Sequence, residues 1–482
     1  MFRLRLLAAI AVSSLVVACS SGGSPGGNAG GGAPPAPTPT PTPTPPSSGC
    51  TLRERQDWAA AQLGEWYLFP ETLPAAPNPA PYSSVSDYVD ALTATARSQN
   101  RDRYFTHVAS IAEENAYYDT GATAGFGIRL KVDSAQGRVV VTDVYEGSPA
   151  GATQLARGSL IEAVGTSATN LRLVSDILRN EGEEGLYAAL GPSEPGVTRV
   201  LRYTWAPRLG LIQETASITK ASYAIPPVSP KFGVSILYPD SDDPIGYLNL
   251  RTFISTAEPE LKRAFAQFRA KGVRRVVVDL RYNGGGLVRV AELLADLLGG
   301  NRAGGDVLSY TSFRPSKAAY DETRRFQPQP ESIAPMRVAF IVTGASASAS
   351  ELVINAMTPW LRENSAIIGS NTYGKPVGQI AVDRAACDDR LRIVAFATQN
   401  ADRQGDYYNG LAGKTGASCA AIDDINTDMG EQGEASMQAA LWFLNGQSCP
   451  AMQGLSRAMS AAAPRTPLPR ETTAQREIPG VF

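Results

Sequence analysis

Two nearly uninterrupted apolar runs, Val276-Val277-Val278-Asp279-Leu280 and Val338-Ala339-Phe340-Ile341-Val342, constrain this chain more than any other feature. A strand that is apolar at almost every position must be covered on both faces, the condition of a parallel sheet packed between helices. Each run is followed by a turn of small residues and then by helical spacing, Val288 to Leu298 after the first and Glu351 to Leu361 after the second. Ile245 to Leu250 supplies a further strand, Pro259 to Ala270 an amphipathic helix, and Ala366 to Gly369 another short strand. This alternation predicts a layered α/β domain.

The two crossings carry the chemistry. Arg281-Tyr282-Asn283-Gly284-Gly285-Gly286 follows the first strand, and consecutive glycines there let backbone N–H groups turn toward a ligand, as an oxyanion hole or a phosphate cradle requires. The segment lacks the Gly-x-x-x-x-Gly-Lys-Ser/Thr pattern of a P-loop. The second crossing, Thr343 to Glu351, places three serines ahead of a helix. A serine there sits near unpaired N–H groups and the positive end of the helix dipole, and it could equally serve as an N-cap. A serine nucleophile needs a base. The chain has one histidine, His107, remote in sequence from both crossings, which argues against a histidine triad and against histidine-cluster zinc sites. Lys375, in Asn371-Thr372-Tyr373-Gly374-Lys375, is the best candidate base, provided burial lowers its affinity for a proton.

Composition sets the surroundings. With 44 Lys plus Arg against 46 Asp plus Glu, the formal charge of −2 offers no basic excess for nucleic acid. A hydrophobic fraction of 43% with 19% charged residues fits a packed body. Arg3 and Arg5 precede an apolar run from Leu6 to Ala18, which suits a secretory signal core and is short for a membrane span. Val16-Val17-Ala18-Cys19 resembles the bacterial lipobox, which implies a signal peptide over 1–18, lipidation of Cys19, and a chain anchored in the bacterial cell envelope. Ser20 rather than Asp after the cysteine favours the periplasmic face of the outer membrane. Residues 19–49, almost entirely Gly, Pro, Ser, Thr and Ala, form a tether without a core. Cys50, Cys387, Cys419 and Cys449 lack metal or redox spacing and predict two disulfides with three connectivities. We expect Cys387 with Cys419 and Cys50 with Cys449.

Leu52 to Trp66 and Val85 to Ala96 predict a helical N-terminal unit over 50–118. From 119 to 205 the order is strand, strand, short helix, strand and helix, with Gly125-Phe126-Gly127-Ile128, Gly147-Ser148-Pro149-Ala150 and Gly158-Ser159-Leu160-Ile161-Glu162-Ala163-Val164-Gly165 as its markers. It resembles a bacterial PDZ domain, with Ser159 where Asp is usual. The resemblance implies capture of an extended C-terminus as an added strand, its carboxylate held by the loop Gly125, Phe126, Gly127 and Ile128. A catalytic α/β core is expected over 206–450 and a loose, polar, Pro-rich tail over 451–482.

In order, Asp279-Leu280-Arg281-Tyr282-Asn283-Gly284-Gly285-Gly286, Ala347-Ser348-Ala349-Ser350-Glu351 and Gly374-Lys375-Pro376-Val377-Gly378-Gln379 resemble the three signature segments of the C-terminal processing peptidases, also called tail-specific proteases. The separation between Ser350 and Lys375 matches that family, and the likeness covers about residues 50 to 450. It implies Ser350 as nucleophile, Lys375 as general base, Gln379 as the residue that orients the lysine, and backbone N–H groups of Gly284 or Gly285 with that of Glu351 as the oxyanion hole. Ser348 is the alternative nucleophile. Pro376 and Gly378 depart from the commoner Gly and Val, and the Pro-Asp that usually follows Leu411 is replaced by a cysteine-containing insertion. The implied activity is a serine endopeptidase acting on exposed C-termini of exported or unfolded proteins, with no cofactor and no metal. Partners would be protein or peptide substrates, the membrane through Cys19, and a homo-oligomeric copy or an adaptor. The competing readings are a catalytically silent peptide-binding lipoprotein or scaffold, and a small-ligand carrier like the related core of the interphotoreceptor retinoid-binding protein.

Overall fold

The computed structural model describes residues 49–205, 210–238, 242–452 and 471–482. The expected signal peptide, Cys19 and the tether up to residue 48 lie outside the described residues. Among those described, no helix is long and apolar enough to cross a membrane.

The two apolar runs become neighbouring central strands. A six-stranded sheet runs in the order Val234–Leu237, Ile245–Asn249, Arg275–Asp279, Arg337–Val342, Ser365–Gly369, Ala417–Ala420, with only the first strand antiparallel to its neighbour. Register aligns Leu248, Val278, Phe340 and Ile367 on one face, beneath helices Ala257–Ala270, Val288–Leu298 and Ala349–Leu361. Tyr247, Val277, Ala339 and Ile368 face the other way and pack on helix Ala435–Leu444. Both faces are thus apolar because both are covered.

Residues before 119 do not form a separate helical unit. Helices Leu52–Trp66 and Val85–Leu92 pack on a second sheet whose strands come from far along the chain, and the polar stretch after Arg101 contributes a strand, His107–Ser110, that pairs with Asp389–Gln399. Helix Ile111–Thr120 follows it. The sequence pattern missed both because neither has a clear apolar period of its own.

A third sheet joins Ile128–Asp133, Arg138–Val144, Leu160–Gly165, Thr198–Trp205 and Ile212–Thr219, with helix Val174–Leu190 packed on it. Strand Ile212–Thr219 pairs along its whole length with Thr198–Trp205, so the unit runs past the expected boundary at 205.

The cysteines form two disulfides, paired differently from expectation: Cys50 with Cys387 and Cys419 with Cys449. Cys387 lies in the turn between strands Val377–Arg384 and Asp389–Gln399, and that turn reaches the start of the first helix, where Arg384 donates to Glu54 O. Cys419 sits in the last strand of the central sheet, and the chain after Cys449 returns to it, Ala420 N donating to Pro450 O. Proximity in the fold therefore couples Cys419 to the cysteine on the same layer.

The tail also departs from expectation. Residues 471–482 are packed: helix Thr473–Glu477 is capped by Thr472, and Ile478, Val481 and Phe482 are buried.

Candidate active site

The crossings lie side by side because their strands are adjacent and parallel, so both turns open at the same sheet edge, where ligands of open α/β sheets bind. Hydrogen bonds join them, among them Tyr282 N to Thr343 Oγ1 at 3.4 Å. Ser346 Oγ donates to Leu280 O at 2.7 Å, Ala347 N to Asn283 O at 3.0 Å, and Ser350 Oγ to Asn283 O at 2.9 Å.

Each serine has its own place. Ser346 is buried and braces the turn, its Oγ also accepting from Thr343 N at 3.0 Å. Ser348, with φ 54°, is the N-cap of helix Ala349–Leu361, and its N–H donates to Glu351 Oε2 at 3.0 Å. A non-glycine residue held at positive φ is strained, and such strain gathers at functional turns. Ser350 is therefore the second helical residue and not the cap, fully buried and at the positive end of the helix.

The glycine turn is shaped by contact. A Cβ on Gly285 (φ 129°) would lie 2.8 Å from Ser348 Cβ, and one on Gly286 (φ 131°) 2.3 Å from Phe253 O. Gly285 N donates to Asn283 Oδ1 at 3.0 Å, which leaves Gly284 as the glycine whose N–H faces the cleft. That N–H donates at 2.8 Å to the main-chain carbonyl of Glu477, a residue of the C-terminal segment. The fold thus chooses between the two glycines that the sequence left open.

Lys375 and Gln379 line the same cleft. Lys375 Nζ donates to Gln379 Oε1 at 2.7 Å and stands 5.0 Å from the centre of the Phe105 ring. Burial holds its ammonium below the ordinary lysine range, while the Glu477 carboxylate pulls the other way. Gln379 is aimed by a bulge between Gly378 and Gln379, in the strand opposite Val394, and Gly378 lies so close to Phe396 that a Cβ would meet the ring at 2.0 Å. Gln379 Nε2 in turn donates to Phe105 O.

The sequence reading gave Glu351 a backbone role alone, set His107 aside and missed Arg103. Glu351 contributes a buried carboxylate, not only a backbone N–H. Besides Ser348, it accepts from Gly374 N and Lys375 N, both at 2.7 Å, and so ties the nucleophile turn to the lysine loop. Burial raises its carboxyl above the usual range against the pull of these bonds. Arg103, stacked 4.0 Å over the Tyr373 ring, donates to Tyr373 O at 2.9 Å and to Gly374 O, so it holds the same loop from the opposite side. Burial holds the pKa of its guanidinium below the ordinary arginine range. His107, set aside on sequence distance, lines the cleft too. Its Nδ1 donates to Phe105 O at 2.8 Å, and burial lowers its affinity for a proton, so the ring is neutral.

Gly125, Phe126, Gly127 and Ile128 lie at the entry of the third sheet. Gly127 N and Ile128 N donate to Phe482 O, the terminal residue, at 2.8 and 3.1 Å. A Cβ on Gly125 would sit 2.7 Å from Phe482 C.

Residues 244–404 match the profile of peptidase family S41. Over 273 residues the chain is 30% identical to the chloroplastic C-terminal processing peptidase of Tetradesmus obliquus, covering 55% of this chain and 53% of that protein. It is 26% identical over 263 residues to the carboxyl-terminal-processing protease of Picosynechococcus sp., covering 53% and 55%. Over this part the chain is similar to C-terminal processing peptidases. It spans about half the length of these curated relatives. The fold matches the crystal structure of an S41-protease homologue from Bacteroides fragilis, with a TM-score of 0.61 at 22% identity over 81% of this chain and 97% of that one. In this chain, residues of all three motif segments line one cleft or brace it, and the N-terminal segment walls it.

Proposed function

We propose that this protein is a serine endopeptidase that uses Ser350 and Lys375 as a catalytic dyad and engages free protein C-termini through the loop Gly125 to Ile128. The observation that carries this reading is the occupied cleft: a main-chain carbonyl, the group a peptidase must polarise, accepts from Gly284 N in the cleft that Lys375 lines.

In the reaction, neutral Lys375 takes the Ser350 hydroxyl proton as Oγ bonds to the scissile carbonyl carbon, and the oxyanion develops against Gly284 N–H and the N–H groups opening helix Ala349–Leu361. Collapse breaks the C–N bond, and Lys375 returns the proton to the departing amine. Water, activated by the same lysine, then releases the acyl group and restores Ser350. Gln379 keeps the amine aimed, and Glu351 fixes its loop against the helix. The Ser350 proton now rests on Asn283 O, so attack requires a rotation about its side chain.

The third sheet fits a PDZ-like role because a C-terminus lies on strand Ile128–Asp133 as an added antiparallel strand. The mature protein would be lipid-anchored through Cys19 on the periplasmic face of the outer membrane. The test is cleavage of an unstructured protein with a free apolar C-terminus. Loss of cleavage with Ser350→Ala and Lys375→Ala, but not with Ser348→Ala, supports the dyad. Binding without any cleavage by the unaltered protein would favour the scaffold reading.

A further inference from the structure

The chain's last residues occupy both halves of its own machinery. Gly480 O accepts from Leu130 N at 2.7 Å, Phe482 N donates to Ile128 O at 2.8 Å, and Arg129 pairs with Val481, so the C-terminus extends the third sheet. The Phe482 ring is buried, stacked on Tyr187 at 5.2 Å and 17°. Five residues upstream, Glu477 O takes the Gly284 N–H, and the Glu477 carboxylate accepts from Tyr118 at 2.8 Å beside Lys375. Gln475 Nε2 donates to Val481 O at 3.2 Å, which binds the two anchored ends into one plug.

Resting on the peptidase reading above, we propose that residues 471–482 are a built-in competitor that closes the peptide groove and the cleft together, and that a protein C-terminus ending in an aromatic residue opens the enzyme by displacing it. Three features make the segment a blocker and not a substrate. The segment reaches the cleft at the end of the short helix Thr473–Glu477, so it pairs with the wall through the single carbonyl of Glu477 and not as an extended peptide does. The Ser350 proton points to Asn283 O, away from any attack on Glu477 C. The Glu477 carboxylate lies beside Lys375 and favours its charged form, working against the larger effect of burial. The groove end is selective as well: Gly125 admits the Phe482 main chain only because it lacks a Cβ, and the flat Phe482 ring stacks on Tyr187.

The test uses the full chain, the chain lacking 471–482, and Phe482→Asp, which keeps the length and puts a charge in the apolar site. Labelled Gly-Val-Phe with a free carboxylate is the binding probe, its amide the control, and cleavage of an unstructured protein the second readout. An intramolecular ligand competes at high effective concentration, so the probe should bind the full chain about tenfold or more weakly than either altered chain. Both altered chains should cleave about tenfold faster, and the free-acid peptide, not its amide, should raise turnover of the full chain. Equal binding and equal cleavage across the three chains would overturn the proposal and leave the peptidase reading intact. Tighter binding after truncation with no cleavage in any chain would support self-capture while sinking the peptidase reading. Appearance of a full chain shortened by its last five residues in intact-mass spectra would show a substrate in the cleft and overturn the competitor.

Discussion

Three neighbouring serines share one turn, yet their bonds give them separable consequences. Ser350→Ala removes a hydroxyl that donates to Asn283 O, and it should lower turnover by about 10³-fold or more with the melting temperature nearly unchanged. Ser346→Ala strips Thr343 N and Leu280 O of a buried partner and should cost about 1–3 kcal/mol, read as a lower urea midpoint. Lys375 gives a pH dependence with a definite sign. Because burial lowers its pKa from 10.5 and only the neutral amine is a base, activity should rise with pH and reach its plateau below that value. The Glu477 carboxylate stabilises the ammonium while the segment is docked, so Glu477→Gln should lower the pKa of Lys375 read by titration of its amine in the resting full chain. An unchanged titration would mean that Glu477 does not act on the lysine. Ser350, Lys375 and Gln379 were legible because each sits in a short segment whose residue types are read without the fold. The choice of Gly284 over Gly285 was not legible, since it depends on where the Asn283 side chain turns.

At the level of elements, the strand Val377–Arg384 shows how a local irregularity aims a side chain. Gly378 stands against Phe396, and the bulge that follows swings Gln379 toward Lys375. Gly378→Ala should force the ring aside at a cost of about 1–3 kcal/mol, and lower turnover more than substrate affinity, because Gln379 loses its aim. Strands and helices of the central sheet were readable from the sequence because each carries its own apolar period. Strand His107–Ser110 and helix Ile111–Thr120 were not, because their burial comes from partners nearly three hundred residues on. The disulfides failed for the same reason: sequence order says nothing about which turn meets which helix. The Cys419–Cys449 bridge closes a short loop behind the last strand of the sheet, away from the cleft. Replacing both by Ser should cost about 3–4 kcal/mol on the loop-closure account and leave the turnover of the folded protein unchanged.

Across the whole molecule, the cleft and the peptide groove are joined through one tyrosine. Tyr282 directly precedes the Asn283-Gly284 turn and is held at φ 68°, while Arg129, from the strand that pairs with the bound C-terminus, stacks 3.9 Å over its ring. Its hydroxyl accepts from Arg157 at 2.8 Å and donates to Asp423 at 2.6 Å, and the guanidiniums of Arg157 and Arg281 hold that carboxyl down to about 2. A second tie, Arg251 to Asp143 at 2.9 Å and to Glu146, fastens the same sheet to the core. Occupancy of the groove is therefore placed to bear on the oxyanion turn through the ring, while the ion pairs keep the two sheets in register. Tyr282→Phe keeps the ring under Arg129 and removes only the hydroxyl links. If coupling runs through those links, the variant should bind the free-acid peptide as tightly as the unaltered chain but lose most of the turnover gained on saturation with it. Unchanged peptide-stimulated turnover would place the coupling in the Arg251 contacts instead. None of this was visible in sequence, where Arg129, Arg157 and Tyr282 are separate residues without a motif. The segment that links them to catalysis, 471–482, read as a loose tail because its apolar residues are few, and those few are the ones the groove and the cleft bury.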